Sequence, residues 1–310
     1  MNEWEGVLPL WKEAGMTSHD CVARARKILK QKRIGHTGTL DPDVSGVLPL
    51  CLGRATRIVE YLQELPKTYE AELTIGYATD TEDASGDITE SSESVAVTER
   101  EIREAVVSFV GTIEQIPPMY SALKIQGKRL YELAREGQTV ERAAREVTIY
   151  GIDIRSVNLD SRYPKVSFEV TCSKGTYIRT LCVDIGRKLG YPAVMSALER
   201  TGSGAIRKAD CITLLEAEQY AAEGTLAEHL VSVADALSHL PGGIVNDTAV
   251  LYALQGRKLF FPAVALEGEA ADGQLVRLFG RQKPLDEHQF IGIYRRDETQ
   301  RCYIPEKLFT

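Results

Sequence analysis

The sequence predicts an α+β fold: a mixed, largely antiparallel sheet with flanking helices, followed by a small C-terminal β-rich domain. Residues 69–77 alternate apolar and polar side chains, which is the two-residue period of a half-buried strand. Thr98 and Glu101 form a capping box ahead of apolar residues at helical spacing. From residue 244 onward, short apolar runs are separated by glycines, as in small β domains.

The helices and strands can be placed along the chain from their caps and apolar stripes. Strands are expected at 6–10, 147–154 and 166–172, because each is a short apolar or alternating run. The segment 195–207 is expected to be an apolar stretch followed by a glycine-rich turn. Helices with a capping residue at the start or a glycine beyond the end are expected from Ser18 to about Lys32, from Thr98 to Gly111, from Ile178 to Gly190 and from Thr213, with Glu216 as its capping partner.

The chain has the size and composition of a globular protein with one large and one small domain: 310 residues, 44% hydrophobic and 26% charged. Pro241-Gly242-Gly243 is the expected boundary, which gives domains 1–240 and 241–310. No run of about 18 uncharged apolar residues is present, so no membrane span is expected. The six cysteines lack C-x-x-C or metal-ligand spacing, and the acidic N-terminus lacks signal-peptide features. Both observations predict a cytoplasmic protein with reduced thiols.

The net charge of −7 would argue against RNA binding if it were evenly spread. Residues 1–57 carry a net charge of +3 and residues 120–208 carry +7, whereas 58–119 carry −11 and 209–310 carry −6. The field at a surface follows the local distribution of charge and not the total. The two basic segments, 1–57 and 120–208, also contain the most specific motifs. A polyanion partner is therefore compatible with the negative net charge.

The motif on which the functional prediction depends surrounds Asp41. The acid precedes Pro42, and this pair is first of all a turn signal because proline restricts both residues. An acid on a rigid turn, close to His36 and behind a helix rich in Lys and Arg, also suits chemistry on an anionic polymer. The basic helix is equally consistent with a solvated face and with a phosphate-contacting surface.

The run from residue 36 to residue 57 reads His-Thr-Gly-Thr-Leu-Asp-Pro-Asp-Val-Ser-Gly-Val-Leu-Pro-Leu-Cys-Leu-Gly-Arg-Ala-Thr-Arg. It resembles the active-site motif of the bacterial tRNA pseudouridine-55 synthases, and this resemblance implies that Asp41 is the catalytic residue. The departure from the family's pattern lies earlier, where Glu13 stands at a turn that usually contains proline.

A second stretch, Lys-Gly-Thr-Tyr-Ile-Arg-Thr at 174–180, resembles another signature of the same family. The resemblance brings Tyr177 and Arg179 into the site and puts Tyr69 in the family's tyrosine position, where it is a candidate to stack on the uracil and to help move the C5 proton. It also implies a T-loop uridine of tRNA, position 55, as the substrate. Without the family, Tyr69 would be interpreted as a core aromatic at the end of a strand.

Pseudouridine formation breaks the C1′–N1 bond of uridine, turns the uracil and rejoins it through C5. No redox step or energy input is needed, so no cofactor and no metal are expected. One carboxylate can stabilise or capture the positive character at C1′. An ion pair between Asp41 and Arg179 is predicted, since a fixed guanidinium keeps a buried carboxylate charged. The alternative is that Arg179 is a surface contact for phosphate.

The remaining site residues follow from what the reaction requires. Water would turn the isomerisation into a hydrolysis, so the pocket should be dry and apolar, with Leu198 in its wall. The uridine must be flipped out of the folded RNA at a cost of a few kcal/mol. By the resemblance, His36 occupies the vacated space and Lys12 contacts the RNA backbone near the pocket. A lone histidine is otherwise more often an ordinary polar residue.

Two further segments are assigned by the resemblance. Residues of about 115–146 interleave tyrosines with lysines and arginines, which suits an RNA-gripping insertion and is equally compatible with a helix packed on a core. Residues 241–310 resemble an RNA-binding PUA-type domain. A monomer that needs no protein partner is expected. The rival hypotheses are a non-catalytic tRNA-binding or tRNA-folding module, a guide-RNA-dependent relative and a glycoside hydrolase.

Overall fold

The computed structural model describes residues 3–125, 127–281 and 287–309. The helices are α1 (Ser18–Ile28), α2 (Val59–Glu64), α3 (Glu99–Val107), α4 (Leu130–Arg135), α5 (Ile178–Leu189), α6 (Leu214–Glu223), α7 (Val233–Ala236) and α8 (Val250–Leu254). Within the described ranges, none of them is long and apolar enough to span a membrane.

The strands belong to two large sheets and two short hairpins. In chain order they are β1 (Gly6–Lys12), β2 (Ile34–His36), β3 (Ser45–Leu52), β4 (Lys67–Ile75), β5 (Tyr77–Thr79), β6 (Ile88–Ser91), β7 (Gly111–Gln115), β8 (Lys124–Ile125), β9 (Lys128–Arg129), β10 (Arg145–Asn158), β11 (Lys165–Cys172), β12 (Ala193–Ser203), β13 (Ile206–Arg207), β14 (Gly242–Val245), β15 (Leu259–Phe260), β16 (Val264–Glu267), β17 (Leu275–Arg281), β18 (His288–Asp297) and β19 (Cys302–Leu308).

The larger sheet has nine strands, and its main path is β1-β3-β12-β4-β11-β10-β7, with β2 beside β3 and β13 beside β12. All its pairings are antiparallel except that of β12 with β3, where Arg200 lies opposite Gly46. The second sheet has six strands in the order β15-β19-β18-β17-β14-β16. The predicted fold class, a largely antiparallel mixed sheet with helices and a β-rich C-terminal part, is confirmed.

Helix α1 differs from its prediction at both ends. Thr17, not Ser18, is the N-cap, and it forms a capping box with Asp20. The Ser18 hydroxyl is free to accept a 2.9 Å hydrogen bond from the amide of Leu40. The helix stops at Ile28, short of the expected Lys32, because Lys30 adopts a left-handed φ of 50°. Ser18 therefore ties the start of the helix to the loop that carries Asp41.

The segment after residue 193 also departs from the prediction. Residues 193–203 form β12, a central strand of the large sheet, and not an apolar stretch that ends in a turn. Its close approach to β3 requires glycine at position 46, where φ is 142° and a Cβ atom would lie 2.4 Å from the Arg200 carbonyl oxygen. Two bulges interrupt its pairing with β4, which hid the two-residue period from sequence analysis.

The two sheets share apolar contacts. Ile293 of β18 and Phe309 pack with Val7 and Cys51 of the large sheet. Arg54 strengthens the contact by donating a 2.8 Å hydrogen bond to the Phe309 carbonyl oxygen. A separate cluster fills the large sheet on the side of α3 and α5, and another fills the six-stranded sheet. The cleft that holds the predicted site residues lies on the large sheet.

Candidate active site

A cleft of about 470 Å³ opens where β4 and β12 meet the loop after β2 and the start of α5. Five of the residues predicted for the site line it. They are Asp41, Tyr69, Tyr177, Arg179 and Leu198. His36 lies one residue before the part of the chain that enters the cleft wall, and Lys12 lies beneath the Asp41 loop.

Lys12 fixes the loop that presents Asp41. Its ammonium group donates hydrogen bonds to the carbonyl oxygens of Glu13 at 3.1 Å, Pro42 at 3.0 Å and Val44 at 2.6 Å, and the residue is 0% exposed. The expected contact between Lys12 and the RNA backbone is therefore not supported, because all three donors of the ammonium group point into the protein. The turn that contains Glu13 in place of proline is held by this lysine.

Asp41 and Arg179 form the predicted ion pair, with 3.2 Å between Oδ2 and Nη2. Arg179 also donates hydrogen bonds to the carbonyl oxygens of Thr81 at 3.0 Å and Tyr120 at 2.8 Å, and Asp83 lies 3.7 Å away. The arginine side chain is 7% exposed. The alternative, a surface arginine that contacts phosphate, does not fit this burial.

Two effects of opposite sign act on the pKa of the Asp41 carboxyl. Burial raises its pKa, and the Arg179 guanidinium lowers it. Nevertheless, 44% of the Asp41 side chain is exposed, so the expected fully dry pocket is not present in this structure. The reason is that Asp41 lines an open cleft, so solvent reaches its carboxylate until a nucleoside covers it.

Helix α5 positions Arg179 in its first turn. Gln115 of β7, which is 2% exposed, holds the helix start because its side chain bonds both backbone groups of Tyr177 at 2.8 and 3.1 Å. A cation near a helix N-terminus is unfavourable because the helix dipole is positive there. Asp41, Asp83 and the carbonyl oxygens that Arg179 contacts offset that cost.

Tyr69 and Leu198 form the part of the cleft wall that comes from the sheet. They come from the paired strands β4 and β12, and Tyr69 is the register partner of Arg200. Burial raises the pKa of the Tyr69 hydroxyl, and the positive charge of Arg200 lowers it. The aromatic ring and the leucine give this side of the cleft the apolar surface that was predicted.

His36 ends β2 beside the cleft. Its Nδ1 atom lies 3.1 Å from the Gly38 carbonyl oxygen, and its ring contacts His19 edge-on at 5.6 Å between centroids. Burial lowers the pKa of His36, and the neighbouring His19 lowers it further. The ring is therefore predominantly neutral at pH 7 and suited to stacking.

Two buried cations in the cleft, Lys67 and Arg200, were not predicted from the sequence. Lys67 donates three hydrogen bonds, of 2.6 to 3.1 Å, to carbonyl oxygens at the end of α2, and burial lowers its pKa to about 8. Arg200 lies two residues after Leu198 on the same strand. Had 193–203 been predicted as a strand, that spacing would have placed Arg200 on the same face as Leu198.

The fold and the site together define the class of protein to which this chain belongs. A model described as "TruB family pseudouridylate synthase (N terminal domain)" matches residues 26–178, and one described as "tRNA pseudouridylate synthase B C-terminal domain" matches residues 179–238. The chain is thus similar to pseudouridylate synthases through most of the large sheet. With the curated relatives described next, these matches show that it belongs to the TruB family.

The relatives extend the match beyond the family models. The chain is 55% identical to tRNA pseudouridine synthase B of Bacillus pumilus, over 83% of this chain and 84% of that protein. It is 52% identical to the protein of the same name from Geobacillus thermodenitrificans, over 85% of this chain and 88% of that protein.

Solved structures agree on the whole architecture. The chain resembles one in the crystal structure of a Cbf5-Nop10-Gar1 complex with a TM-score of 0.76 and 29% identity. It resembles one in an H/ACA RNP bound to a substrate RNA containing 2′-deoxyuridine with a TM-score of 0.74 and 28% identity. Each match covers 98% of this chain and 85% of the other.

Proposed function

We propose that this protein isomerises a single uridine, at position 55 in the T-loop of tRNA, to pseudouridine, with Asp41 as the catalytic carboxylate. The observation that carries the proposal is the Asp41 carboxylate, which is paired at 3.2 Å with a buried arginine in the cleft of a TruB-family chain. The names of the 52–55% identical relatives support tRNA as the substrate.

Asp41 acts on the sugar. As the C1′–N1 bond breaks, its electron pair goes to the uracil, and the Asp41 carboxylate stabilises or captures the positive C1′. The uracil turns so that C5 faces C1′, and the new C5–C1′ bond restores the free carboxylate. The proton on C5 is then lost and N1 takes up a proton, so that no atom is gained or lost overall.

The other site residues handle the nucleoside. Tyr69 stacks on the uracil and is a candidate to help move the C5 proton, and Leu198 excludes water from the same side. Tyr177 borders the entrance beside Arg179. We assign His36 to the space in the RNA that the flipped uridine leaves, because its ring is predominantly neutral at pH 7 and close to the cleft.

Residues 115–146 are proposed to grip the RNA. They contain the β8–β9 hairpin and α4, where Arg129 and Arg135 both lie over the ring of Tyr131 at 5.8 and 5.5 Å. Stacked cations and aromatics of this kind contact bases and phosphates together. We divide the chain into a catalytic domain, 1–240, and a PUA-like domain, 241–310, whose sheet begins with β14 at Gly242.

We further propose that the protein acts alone, as a monomer in the cytoplasm. The 52–55% identity to bacterial synthases favours a stand-alone enzyme over a guide-RNA-dependent one. The solved relatives named above come from assemblies with other proteins. Turnover of a bare tRNA transcript by the purified protein, with no guide RNA and no added protein, separates the two cases.

One experiment tests the function. Unmodified tRNA transcript with tritium at C5 of its uracils is incubated with purified protein, and tritium release and the position of pseudouridine are measured. The expected result is release from one site in the T-loop. Free uracil would indicate a glycoside hydrolase, and binding without release would indicate a tRNA-folding module. Either outcome overturns the proposal.

A further inference from the structure

Four charged side chains are more than nine-tenths buried within the part of the chain that the structure describes, and all four are cations. They are Lys12, Lys67, Arg179 and Arg200. Three of them line the cleft, and Lys12 supports its Asp41 loop. A buried charge is costly unless hydrogen bonds or an opposite charge compensate it. The partners of these cations therefore indicate what each one does.

Three of the four cations are fully compensated. Lys12 and Lys67 each donate to three carbonyl oxygens, which uses every donor of an ammonium group. Arg179 has two carbonyl oxygens and the carboxylates of Asp41 and Asp83. Their environments account for their presence without further ligands.

Arg200 is the buried cation whose charge is not fully compensated. It is 2% exposed, and its Nε atom donates a 2.6 Å hydrogen bond to the Val47 carbonyl oxygen, but its buried Nη2 atom has no hydrogen-bond partner. Within the described ranges, no carboxylate oxygen lies within ion-pair distance of it. What it does face is Tyr69, its register partner across β4 and β12 in the wall of the cleft.

The chemistry of these two groups fixes the direction of a proton. Tyr69 and Arg200 are neighbours on the cleft side of β4 and β12, and a guanidinium only donates hydrogen bonds, so in any hydrogen bond between the two side chains the Tyr69 oxygen is the acceptor. The hydroxyl proton of Tyr69 then points away from the arginine. The space on that side is the cleft, which Tyr69 lines.

We propose that Arg200 is a positioning residue for the isomerisation: its guanidinium holds the Tyr69 oxygen and directs the Tyr69 O–H group at the detached uracil. This inference rests on the proposed function. Arg200 is 2% exposed and therefore offers little surface to a base in the cleft, so we assign its effect to Tyr69.

The movement of charge during the reaction explains why a second cation is needed. Before cleavage, the negative charge lies on Asp41, beside Arg179. When the C1′–N1 bond breaks, the electron pair leaves with the uracil, and the charge lies on a base that contacts Tyr69. At that stage the Asp41 carboxylate, which lies beside Arg179, is either bonded to C1′ or paired with the positive charge on C1′. Arg200 supplies the positive potential on the side to which the charge has moved.

The test compares Arg200→Gln and Arg200→Lys with the wild type at saturating tRNA in single turnovers. Arg200→Gln should slow isomerisation roughly 100-fold, the lower end of the loss expected for an oriented donor to a developing anion, because the Tyr69 O–H group loses the cation that orients it. Arg200→Lys should recover part of that loss. Binding of T stem-loop RNA should change less than about twofold, because free RNA carries no charge on the uracil.

A substrate with 4-thiouridine at the target position separates this role from a structural one. 4-Thiouracil is a stronger acid than uracil, so its anion depends less on external stabilisation. The Arg200→Gln deficit should therefore shrink about tenfold with this substrate, on the scale of 1.4 kcal/mol per factor of ten. Equal deficits for both bases would overturn the proposal.

Lys67→Met is the matched control, since it removes a compensated cation from the same cleft. It should lower stability and give the same deficit with either base. A Tyr69→Phe, Arg200→Gln double variant should be no slower than Tyr69→Phe alone, and additive losses would contradict the route through Tyr69. If Arg200→Gln does not fold, Arg200→Lys carries the same comparison. Wild-type protein that makes no pseudouridine would overturn the proposed function instead.

Discussion

The two large sheets of this protein differ in the charge of the side chains buried in and around them. Four cations are buried around the cleft on the nine-stranded sheet, three from its strands and one from α5, whereas among the described residues after 241 the fully buried side chains are apolar or aromatic. There, the Tyr294 hydroxyl is satisfied by a 2.8 Å hydrogen bond to the Ala253 carbonyl oxygen. The difference shows where the molecule accepts a cost in stability for chemistry.

Asp41→Asn should have the largest effect, because it removes the only group proposed to stabilise C1′. Isomerisation should fall by roughly 10⁴-fold or more, while the affinity for T stem-loop RNA stays close to that of the wild type. Tritium release and filter binding measure the two quantities. Asp43→Asn, two residues along the same loop, is the control and should keep most of the activity. Undiminished release from Asp41→Asn would end the assignment.

Arg179→Gln should have the next largest effect. It leaves Asp41 without its cation, so the rate should fall about 10² to 10³-fold. Three carbonyl or carboxylate partners would also lose a charged donor, so thermal unfolding must be recorded beside the rate. A variant that folds and reacts normally would show that the 3.2 Å ion pair is incidental.

Lys12→Met should act on stability more than on chemistry. Three carbonyl oxygens, that of Val44 fully buried, would lose their donor, and the free energy of unfolding should fall by about 3 kcal/mol. Lys27→Met on the exposed face of α1 is the matched control and should change it by no more than about 0.5 kcal/mol. Urea titrations of both variants compare them. A Lys12→Met protein that loses RNA affinity but keeps its stability would instead support the predicted contact between Lys12 and the RNA backbone.

The pH dependence should report Asp41. Burial raises its carboxyl pKa and the carboxylate is the active form, so kcat/KM should decline about tenfold per pH unit below that raised pKa. The decline should therefore begin at higher pH than for an ordinary aspartate. Because Arg179 lowers this pKa, the acid limb of Arg179→Gln should move to still higher pH. An acid limb that stays in place in Arg179→Gln would contradict the electrostatic coupling.

The six-stranded sheet should give the smallest effects. Phe260 is 65% exposed on β15, and Phe260→Ser should alter the free energy of unfolding by less than about 0.5 kcal/mol and leave the rate constant for bound tRNA unchanged. Phe309→Ser, at the contact between the sheets, is the comparison and should cost more than 1 kcal/mol because that ring is 7% exposed. A rate defect in Phe260→Ser would show that this sheet also takes part in the chemistry.

Much of the fold was predictable because its signals are local. The capping boxes at Thr98 and Thr213 and the left-handed glycine at 190 each fix a helix end through neighbouring residues. Strand β12 was not predicted, because its bulges break the two-residue period of apolar side chains. Such irregularity depends on partners far away in the chain, which a window of sequence does not contain.

The sequence by itself determined which side chains are available for the reaction. Its two motifs carry Asp41 and Arg179, the family resemblance brings both into one site, and their opposite charges then predict an ion pair. Only the tertiary structure decided where each cation points. Lys12 and Arg200 are alike in sequence as single basic residues, yet one is satisfied by three carbonyl oxygens and the other keeps a free donor beside Tyr69. The physical reason is range: Arg200 is held by Val47, 153 residues away, and burial of a charge depends on such contacts.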